Sequence, residues 1–60
     1  MIDSERYVKA MIKGDTALCV LLEEIYGLYG YPPELVSIGI KAAESGEDPQ
    51  EAILKYISGE

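Results

Sequence analysis

Ala17-Leu18-Cys19-Val20-Leu21-Leu22-Glu23-Glu24-Ile25 is the stretch on which the fold turns. Alternation of period two is absent from it, so it does not read as a half-buried strand. On a helix, the same residues are apolar nearly all round. A helix without a polar face is normally central and touched on more than one side. The sequence therefore predicts a helical bundle in which residues 17–25 have no wet side. Either the rest of the chain covers them, or a second copy does.

Signals on both flanks divide the remainder into helices. Upstream, Asp15 is placed to cap this segment, and Gly14 sits where a left-handed C-terminal cap is wanted for a helix before it. That first helix, about residues 4–13, has Ser4 as its candidate N-cap and Tyr7, Val8, Met11 and Ile12 at helical spacing. Glu5 and Lys9 stand four apart in the favourable order, which adds about 0.3 kcal/mol. So short a connection makes the first two helices antiparallel neighbours or sets them at a steep angle.

Downstream, Gly27 and Gly30 end the second helix, about residues 16–29, and leave Leu28, Tyr29 and Tyr31 on a glycine-rich stretch. Pro32-Pro33-Glu34 opens a third helix, about 33–45, because proline fits the first helical position and a carboxylate there meets the positive end of the dipole. Leu35, Ile38 and Ala42 form one row on it. Gly39 costs roughly 1 kcal/mol against alanine in mid-helix, so its use there predicts a close crossing by another helix. Asp48-Pro49-Gln50-Glu51 is the strongest start signal in the chain, combining an N-cap, a first-position proline and the glutamate of a capping box. The fourth helix, about 49–58, then carries Ala52, Ile53, Tyr56 and Ile57 as an apolar stripe, and Gly59 supplies its exit.

Composition narrows the chemistry. A chain of 60 residues buries only about 60% of the surface it exposes unfolded, so its core must be efficient or shared. Cys19 is the single cysteine and there is no histidine, which excludes an internal disulfide and a histidine or two-cysteine zinc site. No cofactor and no metal is expected. With 48% apolar and 27% charged residues the chain reads as globular. Eleven acidic against five basic residues, net −6, speak against direct binding to nucleic acid or to anionic membrane, where affinity comes from lysine and arginine. The apolar run of residues 17–22 is far short of the roughly 20 residues that span a bilayer. Asp3 and Glu5 stand where a secretory signal would be basic and then apolar, so a cytoplasmic protein is expected.

Residues 17–59 resemble the ubiquitin-associated (UBA) domain family, compact three-helix bundles of about this length. Tyr29-Gly30-Tyr31 stands where the family has a Met-Gly-Phe or Met-Gly-Tyr loop. Val36-Ser37-Ile38-Gly39-Ile40-Lys41-Ala42-Ala43 matches its apolar second helix, and Asp48-Pro49-Gln50-Glu51-Ala52-Ile53 its third-helix start. The loop lacks the family's methionine, the link before Asp48 is longer than usual, and residues 1–14 would form an added helix. The resemblance implies a protein-binding module with a small apolar patch. Carried over by position, that patch is Leu28, Tyr29, Gly30 and Tyr31 with Leu54 and Ile57 of the last helix; ubiquitin is only one ligand that relatives of this fold bind.

Residue by residue, the plainer readings compete. Cys19 lies in an apolar run without a neighbouring cation to lower its pKa, which reads as a buried structural thiol. All five aromatic residues are tyrosines, each with a hydroxyl that needs water or a partner; Tyr7 and Tyr56 fall on apolar stripes as core-edge residues, whereas Tyr29 and Tyr31 divide evenly between packing and ligand contact. Leu54 stands off the Ile53–Ile57 row, as an exposed side chain would. Glu44, Glu47, Asp48 and Glu51 read as solvated surface and caps, not as a calcium loop. A scaffold this small is expected not to enclose a cleft of roughly 300 Å³ or more, and no nucleophile has a histidine beside it, so an enzyme is not expected. Together these residues are expected to form an all-α bundle, UBA-like with an added N-terminal helix, that binds another protein through the tyrosine loop and last helix. The alternative is an obligate homodimer, such as a small phage or plasmid factor, with the second helix in the interface. An acidic inhibitor of a nucleic-acid-binding surface is a weaker third.

Overall fold

The structure, a computed structural model, describes residues 2–59, which form four helices in the order α1 (Asp3–Lys13), α2 (Thr16–Tyr26), α3 (Pro33–Glu44) and α4 (Pro49–Ser58), with no strand among the described residues. The Cα radius of gyration is 10.7 Å, against about 10 Å for a folded domain of this length. The single chain therefore closes on itself.

Local chemistry sets the boundaries. The Asp15 carboxylate accepts from the Leu18 N–H at 3.2 Å and starts α2. Its end falls at Tyr26, before the expected 29, because Gly27 takes φ +69° and closes the helix. Past this left-handed residue, the Leu28 N–H donates to the Glu23 carbonyl at 2.7 Å, which is a Schellman closure. The closure turns the Leu28 side chain inward. For α4, the Asp48 carboxylate accepts from the Gln50 and Glu51 N–H groups at 2.9 and 3.4 Å, and Pro49 follows it as the first helical residue.

Helix α1 begins differently from the sequence expectation. Ile2, not Ser4, precedes its first residue, and no side chain of that residue caps it. Ser4 is instead buried inside the first turn, where its N–H and hydroxyl donate to the two oxygens of Glu44 at 3.1 and 2.8 Å. The carboxylate at the end of α3 thus caps α1 from outside. Glu44, expected to be plain solvated surface, satisfies an orphan donor of the first turn and suits the positive end of the helix.

Tyr7, Leu22, Leu28, Val36, Ile40 and Ile53 form the core, with Leu18, Cys19, Tyr26, Tyr31 and Leu35 packed around it. Helix α3 touches the other three and buries Val36, Gly39 and Ile40. It, rather than α2, is the central element. Residues 17–25 do have a wet side: Leu22 is buried, but Leu21 is 51% and Ile25 62% exposed. The reason lies in Gly39. A Cβ built there would fall 2.6 Å from Leu28 Cδ1 and 3.1 Å from Ile53 Cδ1, so the glycine leaves the space over α3 that Leu28 of the loop and Ile53 of α4 fill. Once α3 takes the middle, α2 becomes peripheral.

Two other stripes are rotated from their expected faces. On α1 the buried residues are Ser4, Tyr7 and Ala10, while Met11 and Ile12 are exposed. On α4 only Ile53 is fully buried; Tyr56 and Ile57 point outward with Leu54. One to three buried residues per helix are enough where the neighbouring helix approaches closely.

Candidate protein-binding surface

The six residues carried over from the resemblance separate into a buried part and an exposed part. Leu28 has no accessible surface, so it cannot touch a partner; the Schellman closure and the space left by Gly39 make it core. Tyr31 is half-buried and packs against the same core. Tyr29 is 68% exposed, and Gly30 beside it is exposed. On α4, Leu54 and Ile57 are 60% and 61% exposed.

One hydrogen bond joins the loop to the helix. The Gln50 Nε2 donates to the Gly27 carbonyl at 3.1 Å, fastening the first turn of α4 to the end of α2. Residues four and seven positions after Gln50 lie on the same side of a helix, and these are Leu54 and Ile57. Their row therefore starts at the contact with the tyrosine loop.

Sequence reasoning did not anticipate the outward pair Leu21 and Ile25. They stand one turn apart, at the i, i+4 spacing of a stripe, and exposed Ala17 precedes them by another turn. That spacing was visible, but an all-round apolar helix conceals which of its rows will be left over.

Partly buried tyrosine hydroxyls tie the bundle together elsewhere. Tyr7 donates to Glu23 at 2.7 Å, and Tyr26 to Asp3 at 2.6 Å; Asp3 also pairs with Arg6 at 3.1 Å. Burial, and then the Glu23 carboxylate, push the Tyr7 hydroxyl well above the ordinary tyrosine range. The bond to Asp3, followed by burial, pushes Tyr26 up to about 12. A folded-state pKa above the unfolded one favours the protonated form, so this stabilisation is complete below about pH 10 and is lost as pH rises through the folded value. Thermal melts should accordingly show stability falling between pH 10 and 12. In the double variant Tyr7→Phe/Tyr26→Phe that fall should be shallower, and an equal fall in both proteins would contradict the assignment.

Cys19 is half-buried, and its thiol is pushed up by burial and then by Glu23 and Asp15. That disfavours the reactive thiolate. Among the described residues no group of histidine, cysteine or carboxylate side chains is arranged to hold a metal ion. An open groove of about 480 Å³ runs between α1 and α3; it is a trough left by two helices, not an enclosed cleft. The Ser4 hydroxyl on its lining is already committed to Glu44. Among the described residues no helix is long and apolar enough to cross a membrane.

Comparison with known proteins adds no relative: no family model, no curated protein and no solved structure matches the chain.

Proposed function

We propose that the chain is a small, acidic, non-enzymatic protein-binding module, adaptor-like in its mode of action, whose contact surface is Tyr29, Gly30, Leu54 and Ile57 supported from beneath by Leu28 and Tyr31. The carrying observation is that Tyr29, Leu54 and Ile57 each remain at least 60% exposed in a chain that completes its core without them. Tyrosine is among the residues enriched at the energetic centres of protein contacts, and Leu54 and Ile57 would add apolar area to such a contact. In this reading the last three helices are UBA-like and α1 is an addition. The partner is another protein, with no nucleic acid, membrane surface or cofactor involved, in keeping with the net charge of −6. A cytoplasmic site of action belongs to the same proposal, since a free cysteine suits a reducing compartment.

The test is a triple variant, Tyr29→Ala/Leu54→Ala/Ile57→Ala, compared with the native chain for recovery of bound protein from its own cells. Because all three side chains are largely exposed, the melting temperature should stay nearly unchanged, while affinity for the recovered partner should fall at least tenfold, equivalent to about 1.4 kcal/mol. Retention of the partner by the folded variant would overturn the proposal.

A second reading is favoured by a different observation. Leu21 and Ile25 present an uncovered apolar row on α2, which suits a homodimer with α2 against α2. Sedimentation separates the two readings: a dimer requires a melting temperature that rises with protein concentration, whereas a monomer that stays folded on dilution removes it.

A further inference from the structure

The cations of this acidic chain are unevenly placed. Residues 3–13 hold three basic and two acidic side chains, net +1, whereas residues 14–60 hold two basic and nine acidic ones, net −7. Lys9 of α1 and Lys41 of α3 stand on opposite walls of the open 480 Å³ groove between these helices. Ile2 and Val8 line it as apolar surface, Ser37 adds a hydroxyl, and Glu5 is the one carboxylate on the lining. Among the described residues neither lysine has an ion-pair partner, since the pair formed there is Arg6 with Asp3.

We propose that this groove docks an acidic amphipathic helix of another protein, its apolar side chains on Ile2 and Val8 and its carboxylates against Lys9 and Lys41. Charge complementarity selects the occupant: on a chain of net charge −6, the groove sets Lys9 and Lys41, neither in an ion pair among the described residues, beside Ile2 and Val8, with Glu5 as the carboxylate on its lining. Its form follows from the walls. An open trough between two helices accepts a third helix by its ridge of side chains, and lysine stems can lie along apolar surface while their heads reach carboxylates. None of these residues belongs to the tyrosine-loop surface, so this proposal and that one stand or fall separately.

The experiment uses the ¹⁵N-labelled full chain and two stapled helical peptides, one with leucines on a single face flanked by glutamates and its twin with glutamine at every glutamate. Amide shifts should appear at Val8, Lys9, Ser37 and Lys41, and the glutamine twin should bind about tenfold more weakly, the effect expected of a close charge pair. In Lys9→Gln/Lys41→Gln, both at exposed positions, the preference for glutamate should vanish while the melting temperature is unchanged. Equal affinity of the native chain for the two peptides, shifts at Tyr29, Leu54 and Ile57 instead, or no shift at millimolar peptide would each overturn the proposal.

Discussion

Leu28→Ala should unfold much of the protein at physiological temperature, whereas Tyr29→Ala, one residue on, should leave its stability within about 0.5 kcal/mol. Leu28 has no exposed surface and lies in the core with Val36, Ile40 and Ile53. Removing a buried leucine costs about 2–5 kcal/mol, from lost transfer free energy and from the cavity left behind. A 60-residue domain has roughly 3–9 kcal/mol in total at 0.05–0.15 kcal/mol per residue. The substitution therefore removes a large share of the stability. Urea unfolding of the two variants measures the contrast directly. A Leu28→Ala chain as stable as Tyr29→Ala would mean that the Schellman closure does not turn Leu28 inward.

Gly39→Leu should be at least as damaging, against the direction of helix propensity. Leucine in place of glycine gains roughly 1 kcal/mol in an unconstrained helix. Here the first added carbon already falls 2.6 Å from Leu28 Cδ1, 3.1 Å from Ile53 Cδ1 and 3.4 Å from the Pro49 carbonyl. Overpacking of a closed core costs about 1–3 kcal/mol and more when backbone has to move. A leucine cannot fit without pushing α4 off α3, so the full-size variant should lose cooperative unfolding altogether. Loss of a cooperative circular dichroism melt in Gly39→Leu, with its retention in an exposed control such as Lys55→Leu, is the expected pattern. A Gly39→Leu chain more stable than the native one would show that propensity alone governs this position.

These two positions also mark what the sequence makes legible. The all-α class, the caps at Asp15 and Asp48 and the close crossing at Gly39 follow from local chemistry: a carboxylate before a helical run, a proline after it, a glycine where alanine would be better. Such signals act within a few residues and survive without knowledge of the neighbours. Which helix becomes central does not. Residues 17–25 are the most apolar stretch, yet α3 takes the middle because its glycine admits α4, and that is a property of pairs of helices. The stripes of α1 and α4 shift for the same reason. At the proposed binding surface, Tyr29 was readable as a large side chain beside glycines and Leu54 as one off the expected buried row, whereas Ile57 read as part of that row and came to the patch only through the resemblance; it is 61% exposed. Leu28 was misplaced because its orientation depends on the hydrogen bond from its N–H to the Glu23 carbonyl. Leu21 and Ile25 emerge as surface only once the centre has been assigned.

An exposed apolar surface and a charged groove on one small bundle have a functional consequence. With no shared residue between them, the two proposed surfaces would let the chain meet two partners at once, so that binding at one would raise the local concentration of what is held at the other. The homodimer reading uses a third surface, on α2, and predicts a different stoichiometry.

Site-specific photocrosslinking from position 54 separates these outcomes. With a benzophenone amino acid in place of Leu54, and a second chain carrying it in place of Leu21, irradiation in the cells that make the protein should yield from position 54 an adduct with a different protein, and the adduct should disappear when Tyr29→Ala/Ile57→Ala is added. An adduct of twice the chain's own mass from position 21, with nothing from position 54, would contradict the account.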